Sequence, residues 1–288
     1  MPLKVHIAPK TTADSDEMLR INPSLVADWL VAFLRSEVRD RRGFENAVLG
    51  VSGGVDSALV AFLCVEAFGP EHVYLFKMPY SKVSSHESVA HADMVIGTLG
   101  CHGREVDITA AVDGYVSTHE PDISPARLGN VCARQRMIVL FDQAAKLSAL
   151  PIGTGNKTER LMGYFTWHAD DSPPINPIGD LFKTQVWQLA RHVGVPDVIV
   201  EKPASADLIK GQTDEDDLGI SYVKLDRILY HLLRGVRTDR LTRMGFRAED
   251  VEIARARLDS THWKRHLPTV CVLSDTAIGE YYLRPVDY

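Results

Sequence analysis

An α/β fold, with a Rossmann-like, mostly parallel sheet, helices on both faces and a helical C-terminal extension, is predicted by three observations. Strand-like runs recur at 47–51, 73–78, 105–107 and 150–153. Helical patterns fill the intervals at 57–68, 87–99 and 130–148. Beyond about residue 180 the pattern turns helical, with candidates at 182–193, 221–233 and 248–258. Strands alternating with helices of this length imply parallel pairing, since each crossover helix covers a face of the sheet.

In chain order, the polar start "MPLKVHIAPKTTADSDEM" has no apolar centre of the kind a secretory signal needs. Asn22 or Ser24 is placed to cap a first helix, whose Leu25, Trp29, Ala32 and Phe33 share one face. The strand at 47–51 then runs into Ser-Gly-Gly-Val-Asp-Ser and a long apolar helix. Open parallel sheets bind ligands where strand C-termini meet helix N-termini, and 51–57 is such a junction. The stretch "EKPASADLIKGQTDEDDLG" is polar, rich in turn formers and long for a mere connection. A binding loop or mobile lid is expected there, closing together with the segment around Lys264. No composition break and no internal repeat marks a second domain.

Composition narrows the class. With 45% apolar and 24% charged residues in 288, the chain has an ordinary globular balance. Its longest apolar run, 58–65, falls far short of a membrane span, and a cytoplasmic location is expected. Cys64, Cys101, Cys132 and Cys271 show no CxxC or CxxH spacing, so neither a disulfide framework nor a zinc site is expected. His262 and His266 have helical spacing, but "HWKRH" offers no further ligand. A net charge of −6 argues against a dedicated nucleic-acid binder. Arg234, Arg237, Arg240 and Arg243 recur every three residues and read as a solvated helical face rather than an anion-binding rim.

The loop after the first strand carries the chemistry. Gly53 and Gly54 let successive backbone N–H groups approach an anion, and the helix behind them adds its unpaired N–H groups and positive end. Ser52 and Ser57 add hydroxyls. Asp56 would repel a bare phosphate, which implies a cation between them, and Mg²⁺ is the hard, oxygen-seeking choice. The plainer alternative is a Gly-Gly turn with Asp56 capping a helix.

At these residues "SGGVDS" resembles the pyrophosphate loop of the N-type ATP pyrophosphatases. "GNVCARQRM", "GTGNKTE", "NPIGDLFKTQVWQLARHVGVP" and "KPASADLIKGQTDEDDLGISY" all resemble NAD synthetase, in order. The resemblance implies one domain over 23–268 with tails at 1–22 and 269–288. It also implies that ammonia is joined to deamido-NAD, by way of an adenylate, with loss of pyrophosphate and then AMP. ATP is the co-substrate and Mg²⁺ the metal, and a homodimer is expected. Glutamine-using members carry a separate amidase domain; only about twenty residues precede the first helix here, so free ammonia is the expected donor.

Carried over residue by residue, the resemblance assigns ATP contacts to Gly50, Ser52, Gly53, Gly54, Asp56, Ser57, Thr154, Lys183 and Ser205. Asp56 and Glu159 are the expected metal carboxylates. Asn130, Arg134, Arg136, Trp167, Asp170 and Lys264 fall on the deamido-NAD side. Asp170 and Lys183 are the expected catalytic residues, Asp170 through ammonium. Read without the resemblance, Glu159 is a surface helix residue, Lys183 solvated charge, and Thr154 and Ser205 caps. Arg134 and Arg136 differ by about 200° in helical phase, so Arg136 is also a candidate for an interface. Departures cluster on the substrate side. "TWHAD" keeps Asp170 but has Trp167 where lysine is usual, Pro174 replaces an acidic residue, and Trp263 stands where histidine is usual. A rearranged nicotinate pocket follows, with Trp167 able to stack on the ring.

Three other readings stay open at the level of sequence. The substrate is the mononucleotide deamido-NMN; the chain is a tRNA-thiolating enzyme, though it lacks a basic surface; or it is a non-catalytic nucleotide-binding module.

Overall fold

The computed structural model describes residues 16–205, 213–266, 269–271 and 273. Most of the tails expected at 1–22 and 269–288 therefore lie outside the described residues. Four parallel strands, β1 (Asn46–Gly50), β2 (Val73–Lys77), β3 (His102–Glu105) and β4 (Ala149–Pro151), form one sheet in the order β3-β2-β1-β4. Ala47 pairs with Val73 on one side and Leu150 on the other. Ala47, Val48 and Leu49 are fully buried, as a central strand covered on both faces requires.

Twelve α-helices surround and extend this sheet among the described residues. On the sheet side come α1 (Pro23–Arg35), α2 (Val55–Phe68), α3 (His86–Leu99), α4 (Thr109–His119) and α5 (Pro125–Lys146). The C-terminal part holds α6 (Lys157–Met162), α7 (Lys183–Val193), α8 (Asp197–Val200) and α9 (Asp214–Leu218). It ends with α10 (Tyr222–Leu232), α11 (Thr238–Arg243) and α12 (Ala248–Ser260). One core joins α1, α2 and α7 to the sheet through Leu34, Leu59, Leu63, Leu75 and Leu189. The opposite face packs Val48, Phe76, Val112 and Leu140 from β1, β2, α4 and α5. A third core holds the helical extension together around Tyr222, Leu225, Leu229 and Leu241. None of the described helices is long and apolar enough to cross a membrane.

The structure corrects four expectations. β3 lies at 102–105 instead of 105–107; its side chains are polar and exposed on an edge strand, so no apolar pattern marked it. α4 was not foreseen, and α5 begins earlier than expected, with Pro125 in its first turn. On α1, Asn22 is the cap, accepting from the Leu25 N–H at 3.3 Å. The face read from Leu25, Trp29, Ala32 and Phe33 points outward, with Trp29 71% exposed. Val31 and Leu34 go inward instead, because α1 carries two apolar stripes and periodicity alone cannot choose between them. The four arginines are not one helical face: Gly235, at φ +77°, ends α10 before α11 begins. Arg234 lies over Tyr230, while Arg237 and Arg243 pair with Asp239.

Candidate active site

β1 ends where the glycine loop begins, and Val51 extends the sheet by donating to the Phe76 carbonyl at 2.9 Å. Gly53 sits at φ +78°, and a Cβ there would meet the Ser88 carbonyl oxygen at 2.1 Å. Only glycine fits. Gly54 precedes α2 and donates to Ser52 Oγ at 3.3 Å. Ser57 is buried; its Oγ donates to the Gly54 carbonyl at 3.1 Å and accepts from the Ser52 N–H at 3.2 Å. The Ser57 hydroxyl thus braces the loop, and contact with a phosphate requires exchanging that bond. Gly50 lies close under Met78, 2.9 Å from a Cβ position to its methyl.

The first turn of α2 delivers Asp56 to a buried charged cluster. Lys183, only 2% exposed at the start of α7, donates to Asp56 Oδ2 and lies 3.5 Å from Glu159 Oε1. Asn156 ties the two carboxylates together. Its Nδ2 donates to Asp56 Oδ1 at 2.9 Å, and it forms a reciprocal cap with Glu159, through bonds of 2.9 and 3.2 Å. Burial pushes the Glu159 carboxyl up, Asp56 adds to the rise, and Lys183 opposes it. The 18% of its side chain that meets water moderates that rise. Burial would lower the Lys183 ammonium, but Asp56, Glu159 and Asp214 together hold it above its ordinary range. It therefore stays charged.

Behind the cluster, Tyr222 presents its ring 5.2 Å from Lys183 Nζ and donates to Asp214 Oδ2 at 3.0 Å. Tyr164 Oη lies 3.1 Å from Asp214 Oδ1 and 2.7 Å from Asp217 Oδ2, its one proton shared between the two carboxylates. The root of the expected lid is thus pinned to the cluster, while 206–212 lie outside the described residues. Ser205 is exposed at their border, and Lys202 Nζ donates to Ser88 Oγ at 2.9 Å. Thr154 is half-buried in the loop after β4, where Asn176 Nδ2 donates to the Gly155 carbonyl at 2.7 Å.

A second polar group gathers just past the other end of α6, a helix about 9 Å long. Thr166 joins two of the expected residues: its Oγ1 donates to Asn130 Oδ1 at 2.9 Å and its N–H to Asp170 Oδ1 at 2.8 Å. Arg134 donates to the Trp167 carbonyl at 3.0 Å. Lys264 donates to the Gly163 and Phe165 carbonyls at 2.6 and 2.5 Å, so it is docked on this turn. Trp167 and Trp263 meet edge to face, with centroids 5.2 Å apart. Crowding raises the Asp170 carboxyl, and the water that reaches this exposed side chain moderates the rise. Arg136 goes elsewhere, as its helical phase implies, donating to the Met78 carbonyl beyond the end of β2 at 3.1 Å.

Sequence reasoning missed Asn156, Tyr164, Asp214 and Tyr222. Only Asn156 left a local signal, the Asn-Lys-Thr-Glu spacing of a reciprocal cap.

The profile of the family described as NAD synthase matches residues 26–268. The chain belongs to the NAD synthase family. An NH(3)-dependent NAD(+) synthetase from Trichlorobacter lovleyi is 46% identical over 261 residues, covering 90% of this chain and 94% of that one. Among solved structures of similar proteins is an NMN synthetase from Francisella tularensis, with TM-score 0.78 and 29% identity over 88% of this chain and 99% of that one. An NH3-dependent NAD synthetase from Campylobacter jejuni gives TM-score 0.74 and 27% identity, over 88% of this chain and all of that one. These matches rest on the same region that carries the glycine loop and the Asp56–Lys183–Glu159 cluster of this NAD synthase family member.

Proposed function

We propose that the protein is a ligase that forms a C–N bond, amidating deamido-NAD with ammonia at the expense of ATP. The buried Asp56–Lys183–Glu159 cluster at the mouth of the glycine loop is the observation that carries this reading. A nicotinate carboxylate oxygen attacks the ATP α-phosphorus, and the bond to pyrophosphate breaks. Ammonia nitrogen then attacks the acyl carbon, the bond to AMP breaks, and nitrogen loses a proton.

The loop residues Gly50, Ser52, Gly53, Gly54 and Ser57 receive the pyrophosphate, with Thr154 and Ser205 on the remainder of ATP. Lys183 supplies a fixed positive charge to the phosphates. The donor set suits Mg²⁺, which takes one or two protein carboxylates and fills its sphere with phosphate and water. Asp56 and Glu159 would hold it, and among the described residues no group of three or more ligating side chains converges. Bound there, the ion would neutralise charge on the phosphates. Asn130, Arg134, Trp167 and Lys264 bind deamido-NAD, while Asp170 receives ammonium and takes its proton.

A homodimer is part of this reading. Ile138 and Phe141 stand 62% and 42% exposed on α5, the helix that also carries Asn130 and Arg134. A monomeric mass at micromolar concentration with full activity would contradict it. The cytoplasm is the proposed compartment.

A second reading, amidation of deamido-NMN, is favoured by the likeness to the Francisella tularensis NMN synthetase. AMP release with ATP, ammonium and each nucleotide in turn separates the two. Turnover with deamido-NAD well above deamido-NMN is expected; the reverse order would transfer the assignment, and activity with neither would remove it.

A further inference from the structure

We propose that Asp226 is a positioning residue for this reaction, locking α6 and α7 into the register that places Glu159 beside Lys183. It contributes no atom to the cluster itself, and it lies on α10, a helix remote in sequence from both. Asp226 is wholly buried, and each of its oxygens faces a different helix. Oδ1 accepts from Thr158 Oγ1 at 2.6 Å. Oδ2 accepts from both the N–H and the hydroxyl of Thr184, each at 2.8 Å. Thr158 closes the circuit, since its Oγ1 also accepts from the Lys183 N–H at 3.0 Å.

The consequence lies in which residues are held. Thr158 directly precedes Glu159, and Thr184 directly follows Lys183. The carboxylate therefore grips the neighbour of each cluster residue, and its bonds satisfy two otherwise unpaired N–H groups at the start of α7, one directly and one through Thr158. Four residues before Asp226, one turn along α10, Tyr222 sets its ring against Lys183, so a single helix face supports the lysine from two directions. Every hydrogen that Asp226 meets is donated to it, which an acceptor-only carboxylate satisfies and an amide cannot.

The inference rests on the proposed roles of Glu159 and Lys183 at the ATP phosphates. Its test compares Asp226→Asn with Leu229→Ala in the full chain. Leu229 is equally buried on α10 and belongs to the apolar core of the helical extension, so it controls for general loosening. AMP formation is measured over a titration of ATP and a separate titration of deamido-NAD, the other substrates saturating in each. Because small misplacements of reacting groups are costly, Asp226→Asn should lower kcat by about tenfold or more and raise the KM for ATP, leaving the KM for deamido-NAD unchanged. Leu229→Ala should lower the melting temperature without that split. Thr158→Val, which removes the bridging hydroxyl at nearly constant shape, should reproduce the Asp226→Asn pattern and serves if that variant does not fold.

Wild-type kinetics in Asp226→Asn, or the same split in Leu229→Ala, would overturn the proposal. Absence of AMP formation by the wild-type protein would instead fault the reaction. Calorimetric binding of ATP with Mg²⁺ then decides positioning by itself: weaker binding in Asp226→Asn alone supports it, and equal binding refutes it.

Discussion

Asn156 Nδ2 donates to Asp56 Oδ1 at 2.9 Å, joining the first turn of α2 to the start of α6 across a hundred residues of chain. The same asparagine caps α6 by accepting from the Glu159 N–H. One amide thus fixes the separation of the two carboxylates on which the proposed phosphate chemistry depends. Asn156→Ala should lose about 1 kcal/mol of stability as a missing cap. It should lose more in turnover than that figure accounts for. Thermal denaturation alongside AMP release checks this, and a stability loss with unchanged turnover would reduce Asn156 to a cap.

Lys183 is the only buried cation described between Asp56, Glu159 and Asp214. Lys183→Met would leave those carboxylates facing one another, and removing one partner of a buried ion pair typically costs about 3–5 kcal/mol. Added Mg²⁺ should recover part of the loss, because a cation held by Asp56 and Glu159 replaces the missing charge. Melting curves with Mg²⁺ and with a chelator provide the comparison. An equal melting point in both would count against the metal site.

The raised Glu159 carboxyl sets a pH dependence for the free protein. Its folded value lies above the ordinary 4.5, so the folded state binds the proton more tightly than the unfolded chain. The stability from this group is fully present below about 4.5 and is lost as pH rises through the raised folded value. Mg²⁺ requires the ionised carboxylate, so its affinity should tighten over that same rise. Calorimetric Mg²⁺ titrations at several pH values measure this, and Glu159→Gln should flatten the dependence.

Trp167 and Trp263, the two aromatic departures read from the sequence, touch each other. Edge-to-face aromatic pairs contribute about 0.5–1.5 kcal/mol beyond their buried area. A double-mutant cycle with Trp167→Ala and Trp263→Ala should show coupling of that size in stability. The KM for deamido-NAD should rise in each single variant. Additive effects would mean that the two rings do not build one pocket wall.

The parts that could be read from sequence are those set by local pattern. A buried parallel strand running into Ser-Gly-Gly-Val-Asp-Ser reads as a strand–loop–helix junction, and Gly53 occupies the left-handed backbone conformation that the loop uses. β3 reads three residues late, at 105–107, because His102–Glu105 is a polar edge. Asp226 left no trace, since one acidic residue on an amphipathic helix looks like solvated charge. Its meaning comes from partners 68 and 42 residues away. Tyr164, Asp214 and Tyr222 are in the same position: tertiary packing, and no spacing rule, brings them to Lys183. The outward face of α1 marks the limit from the other side, where an apolar stripe was legible but its direction was not.

The central claim is that Asp56, Lys183 and Glu159 form the centre at which ATP is cleaved. AMP release by Asp56→Asn, with ATP, Mg²⁺, deamido-NAD and ammonium, tests it most directly. The substitution keeps the side chain's shape and its Oδ1 acceptor for Asn156, so circular dichroism should report an unchanged fold. Removing one such electrostatic element costs about 10²–10³ in rate, and a fall of that size is the expected result. Turnover near that of the unmodified protein would place the chemistry elsewhere.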